Sequence, residues 1–151
     1  MNTIAISNYK GGVGKTTTAV NLATLFAKNG KRVLLIDLVP QASATDYCGL
    51  YGEAESTGLN SISLLYGNAP VEKVTHETKI PNLSMVPSLI DPIDQNELML
   101  REQRLKFALA EASADYDIAI VDRSPVMQRL ALNAYRTPAD RPAAVSHVAS
   151  S

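Results

Sequence analysis

The chain has 151 residues, 46% of them hydrophobic, enough for one core that buries roughly two-thirds of the unfolded surface. A formal net charge of −1 with scattered Lys and Arg gives no basic footprint, and the single Cys48 excludes an intrachain disulfide framework or a paired-cysteine metal site. The first eight residues hold only a short apolar stretch, far from a secretory leader or a membrane span, so a soluble, cytoplasmic protein without membrane attachment is expected.

In chain order, residues 3–7 form a short apolar strand that ends at a glycine-rich turn. From Lys15 onward Ala19, Leu22, Ala23, Phe26 and Ala27 fall on helical spacing, and Asn29-Gly30 supplies the stop. Residues 32–37 are too short and too branched for a helix and read as a fully buried strand. Two such strands around an amphipathic helix imply an α/β class: a parallel sheet with helices on both faces and right-handed crossovers. Residues 40–81 are rich in Gly, Ser, Thr and Asn, with short helical candidates at 62–66 and 71–75. Residues 83–86 read as a third strand. Residues 97–114 read as a long helix with Leu98, Leu105, Leu109 and Ala112 on its core face. Residues 117–122 are a fourth strand, ending on a carboxylate, and a helix follows Pro125 to about Tyr135. Residues 1–137 are read as one nucleotide-binding domain and 138–151 as a disordered tail.

Lys10-Gly11-Gly12-Val13-Gly14-Lys15-Thr16-Thr17 lies between a strand and a helix, the context that makes a glycine-rich string a phosphate site. Glycines let successive N–H groups point into one concavity, and the helix N-terminus adds positive partial charge. In this reading Lys15 reaches the β and γ phosphates and the Thr16 hydroxyl ligates Mg²⁺. Asp37 and Asp122 each end a buried strand, on the edge where open α/β sheets bind ligands.

The loop lacks the opening glycine of an ordinary Walker A string, having Tyr9 there, and resembles the deviant Walker A of the ParA/MinD family of P-loop ATPases. Residues 18–23, 30–37, Pro40-Gln41, Ala44-Thr45, Asn82-Leu83, Val86-Pro87, Tyr116-Asp117 and 120–122 continue the resemblance over about residues 1–135. It implies ATP or ADP with Mg²⁺, held by residues 10–17. Lys10, Lys15 and Asp37 would take catalytic roles and Thr16, Asp37 and Asp122 the metal. It also implies a nucleotide-dependent homodimer, in which Lys10 touches the partner's nucleotide, and a ParB-like partner protein. Members normally run on well past this length, with further strands beside the phosphate-loop strand and, in some, a DNA-binding surface. The chain therefore reads as a C-terminally shortened relative without DNA affinity of its own, whether a natural short form or a truncated or frame-shifted one.

The family's second aspartate, which orients the attacking water, is replaced by Val39, whose isopropyl group accepts neither proton nor hydrogen bond. Nucleotide binding is therefore expected to outlast hydrolysis. Ala42 stands where the family usually has glycine, and Arg123-Ser124 where it has a small residue and proline. An active partition ATPase, a nucleotide-binding regulatory module without turnover and a non-functional remnant all stay open. Arg123 either competes as a counter-ion beside Asp122 or points into solvent, the reading favoured here; His76 is assigned to solvent, His147 to the tail, and Cys48 to a half-buried inert thiol.

Overall fold

The computed structural model describes residues 1–6, 14–90 and 101–124. Its elements are β1 (Asn2–Ile6), α1 (Lys15–Lys28), β2 (Val33–Asp37), α2 (Ser43–Tyr47), α3 (Tyr51–Thr57), α4 (Ser61–Leu65), α5 (Val71–Val74), β3 (His76–Glu77), β4 (Leu83–Val86), α6 (Glu102–Ala112) and β5 (Ile118–Asp122). The strands form one sheet in the order β1-β5-β2-β4-β3, parallel except for the two-residue β3, which pairs antiparallel with β4. The α/β class and the parallel core follow the sequence reading. The antiparallel edge is a departure from it.

β2 and β5 occupy the middle of the sheet and every one of their residues is buried, which accounts for their unbroken apolar runs. Their side chains alternate between two clusters. Val33, Leu35, Ile118 and Ile120 pack on one face with Ala19, Val20, Ala23 and Ala27 of α1. Leu34, Ile36, Ala119 and Val121 pack on the other with Leu64, Leu65, Val71, Val74, Leu105 and Leu109 of α4, α5 and α6. The small residues of α1 let its backbone approach the sheet closely, which brings its N-terminus over the ends of β2 and β5.

Local chemistry sets the element ends. α1 stops where Asn29 donates its side-chain amide to Leu25 O (2.8 Å) and Gly30 turns with φ +80°. α4 begins with a capping box: Asn60 accepts from the amides of Ile62 and Ser63, and Ser63 Oγ accepts from Asn60 N–H at 2.9 Å. At the opposite edge of the sheet Arg32 and Asp117 form a surface ion pair (2.9 Å) beside the first residues of β2 and β5, which holds the Asp117 carboxyl down at about 2.

α2, α3 and β3 are absent from the sequence reading, which gave residues 40–81 no regular elements besides the helical candidates at 62–66 and 71–75. Each is short, and the mostly polar α3 has Ala54 as its only buried residue. The expected start of the long helix at 97–100, the helix after Pro125 and the tail 138–151 lie outside the described residues. Among the described residues no helix is long and apolar enough to cross a membrane.

Candidate phosphate-binding site

Gly14 takes a left-handed conformation (φ +79°) at the entry to α1, where any side chain would be strained. The helix then starts with Lys15, Thr16 and Thr17, with no side-chain cap and no acidic residue in its first turn. Gly14 thus brings no capping side chain, and no carboxylate of the first turn opposes the positive end of the helix dipole, the polarity that suits an anion. Gly14, Lys15, Thr16 and Thr17 line one end of a cavity of about 730 Å³, with Val39, Gln41, Ser43, Tyr47, Arg123 and Ser124 among the residues around the rest. Of the remaining loop residues expected to bind nucleotide, Lys10, Gly11, Gly12 and Val13 lie outside the described residues.

The parallel pairing of β2 with β5 sets Asp37 and Asp122 in register as direct neighbours, both fully buried. Thr16 Oγ1 donates to Asp122 Oδ2 at 2.7 Å, joining the start of α1 to the end of β5. The other oxygen, Asp122 Oδ1, is buried and has no hydrogen-bond partner among the described residues. Burial, together with the nearby charge of Asp37, pushes the Asp122 carboxyl up to about 6, against the lowering effects of the Thr16 hydroxyl and the Lys15 charge. Asp37 is raised too, chiefly by burial. It accepts three hydrogen bonds: Val39 N–H on Oδ1 (2.9 Å), and Thr45 N–H (3.0 Å) and Thr45 Oγ1–H (2.8 Å) on Oδ2. Thr16 lines the cavity, while Asp37 and Asp122 are fully buried and are not among its lining residues; of the two carboxylates, only Asp122 has an oxygen without a donor among the described residues.

Two sequence readings are overturned. Arg123, assigned to solvent, is 1% exposed: it directly follows Asp122 at the end of the fully buried β5 and lies among the residues lining the cavity. His76, also assigned to solvent, is buried between α3 and the turn that follows it. Its Nδ1 lies 2.8 Å from Glu53 Oε1 and its Nε2 3.1 Å from Leu59 O. Cys48 is half-buried, and burial with the Asp37 charge raises its thiol pKa, in keeping with an unreactive sulfur. Asn21, Ser43 and Tyr47 were given no site role from sequence, and Gln41 entered only through the family resemblance, although all four line the cavity. No local spacing marks them, since they converge only once α2 packs beside α1.

A family model described as an AAA domain matches residues 1–141. The sporulation initiation inhibitor protein Soj of Bacillus subtilis (strain 168) is 40% identical over 135 residues, 87% of this chain and 53% of that protein. The chromosome partitioning protein ParA of Caulobacter vibrioides is 38% identical over 140 residues, 89% of this chain and 52% of that protein. Among solved structures, a cobyrinic acid a,c-diamide synthase from Mycobacterium smegmatis with bound ADP and magnesium is 30% identical. Its TM-score is 0.75, over 84% of this chain and 54% of that one. The chain spans about half the length of the curated relatives it matches.

Proposed function

Because the chain belongs to the ParA/MinD family of P-loop ATPases, we propose that it binds ATP and ADP with Mg²⁺ at the N-terminus of α1, as the nucleotide-binding part of a partition-type ATPase with suppressed turnover. The observation that carries this reading is the Thr16–Asp122 pair beside the Gly14 turn, with Asp122 Oδ1 buried and without a partner among the described residues. A hydroxyl and a carboxylate oxygen are the hard donors that Mg²⁺ prefers, and an ion held by one or two protein oxygens leaves room for phosphates and water. The residues present therefore fit the ion. When bound, it would neutralise phosphate oxygens and the charge that develops on them in phosphoryl transfer.

The chain's own groups divide the remaining work. Backbone N–H groups of Gly11, Gly12, Val13, Gly14, Lys15, Thr16 and Thr17 would cradle the phosphates, and the Lys15 ammonium would hold the terminal ones. Asp37 would contribute its charge from behind Asp122. Lys10 would reach the nucleotide of a second copy in a nucleotide-dependent homodimer. Val39 lines the cavity where a carboxylate would have held the attacking water. Loss of such a positioning group costs about 10²- to 10⁴-fold in rate. The name of the ParA relative points to chromosome partitioning as the setting, the family resemblance to a ParB-like partner, and the near-neutral charge to no DNA affinity of this chain alone.

Calorimetry with Mg-ADP and Mg-ATP tests the binding claim. Lys15→Ala should weaken affinity by roughly 10²-fold, a charge-assisted contact to phosphate being lost. Equal affinities for the two proteins would remove the assignment. In a phosphate-release assay the unmodified chain should stay near background and Val39→Asp should rise above it. Robust turnover by the unmodified chain would sink the role given to Val39.

A further inference from the structure

Thr45 is fully buried at the third position of α2, away from the phosphate loop, and its hydroxyl is used twice. It donates to Asp37 Oδ2 at 2.8 Å and accepts from Ser88 N–H at 2.8 Å. One oxygen therefore ties the end of β2, the start of α2 and the segment after β4. The tie continues on both sides: Val39 N–H closes on Asp37 Oδ1, and Ser61 N–H at the start of α4 donates to Pro87 O at 2.8 Å. Between the tied ends, Ala42 sits in the left-handed region (φ +52°) without the freedom of a glycine. A strained residue persists only where its surroundings over-determine it, and the hydrogen bonds on either side of Ala42 do so.

We propose that Asp37, Thr45 and Ser88 form a latch that fixes residues 38–45 as the far wall of the cavity, making Thr45 and Asp37 positioning residues for the nucleotide. The inference rests on the reading of that cavity as a nucleotide site. It assigns the Asp37 carboxylate to donors of its own chain, with the ion left to Thr16 and Asp122. Three of the four wall residues that line the cavity, Val39, Gln41 and Ser43, lie between the latch's two anchors, and the fourth, Tyr47, lies on the helix it starts. A wall held this way would be set before nucleotide arrives, so that binding would not have to order it.

The test uses the full chain and compares the wild type with Thr45→Val, Thr45→Ser and Asp37→Asn. Valine matches threonine in shape but neither donates nor accepts, whereas serine keeps the hydroxyl. Without nucleotide, Thr45→Val and Asp37→Asn should each speed amide hydrogen exchange at residues 39–45 and at Ser88 by about tenfold or more, with Thr45→Ser within about threefold of wild type. ADP affinity, read by calorimetry with and without Mg²⁺, should fall by roughly tenfold in Thr45→Val and Asp37→Asn, by the same factor in both conditions. Wild-type exchange in Thr45→Val would overturn the latch. Faster exchange with unchanged ADP affinity would overturn its positioning role. A loss of the Mg²⁺ effect in Asp37→Asn, with Thr45→Val unaffected, would make Asp37 an ion ligand instead. Absence of ADP binding by the wild type would reject the nucleotide reading and the positioning role with it, while the exchange arm would still decide whether the latch exists.

Discussion

Asp37 closes β2 and Asp122 closes β5, side by side in register and equally hidden from solvent, but their surroundings differ in donors. Two amides and a hydroxyl converge on Asp37. Among the described residues a single hydroxyl serves Asp122, and one of its oxygens is left over. Burial raises both carboxyls, so burial alone does not tell a scaffold from a site. The number of donors does, since a buried carboxylate short of them is stabilised by whatever cation arrives.

The largest effect that would break this comparison is on stability. Asp37→Ala strands three buried donors, at about 1–3 kcal/mol each, and should cost about 4 kcal/mol in urea denaturation without Mg²⁺. Asp122→Ala strands only a hydroxyl that can rotate, and compared at pH 4, below the titration of that carboxyl, should change stability by less than about 1 kcal/mol. Equal losses would erase the distinction.

The next effect is on pH dependence. With its carboxyl at about 6, Asp122 holds a proton more tightly in the folded chain than in the unfolded one, where the value is about 3.9. Its contribution is therefore fully present below about pH 4 and is lost as pH rises through 6. In Mg²⁺-free denaturation, Asp122→Asn should gain on the wild type by about 2–3 kcal/mol between pH 4 and 7. A gap that does not change with pH would contradict the assigned shift.

A smaller effect sharpens the ion assignment. Asp122→Asn should reduce the Mg²⁺ enhancement of ADP affinity by roughly tenfold, or about 1.4 kcal/mol, in paired titrations with and without the metal. An undiminished enhancement would move the ion elsewhere. The smallest effect is expected for Ala42→Gly. Glycine there relieves left-handed strain but gives up a buried methyl and adds unfolded-chain entropy, so Ala42→Gly should shift stability by under about 0.5 kcal/mol. Ala42→Val, β-branched in the same conformation, should lose about 2 kcal/mol in the same denaturation series.

What sequence could reveal here depended on how locally each feature is encoded. β2, β4 and β5 were legible because their branched, apolar runs are bounded by turn residues, and Gly14 to Thr17 because consecutive residues carry the whole signal. The partnership of Asp37 with Asp122 was not legible, since it follows from strand order, which places β5 between β1 and β2. Thr45 was noticed only as part of a family resemblance. Its acceptor role toward Ser88 spans 43 residues and leaves no periodic trace. α2 and α3 were missed because five- and seven-residue helices with one or two buried positions have too little amphipathic pattern to detect. His76 was misread because a two-residue strand cannot display alternation, and its ring partners, Glu53 and Leu59, come from elsewhere in the chain.

The central place of β5 also has a consequence for synthesis. β1 and β2 are made first, yet both pair with a strand that begins at Ile118. At about 5–20 residues per second, β2 waits roughly 4–16 s for that partner, and β1 somewhat longer. During the wait β2 can pair with β4, but its other edge, four apolar residues followed by Asp37, has no strand beside it. Such an edge invites pairing with another chain, and late, long-range pairing makes for slow folding. The arrival of β5 ends that exposure, and in the same step it delivers Asp122 to Thr16.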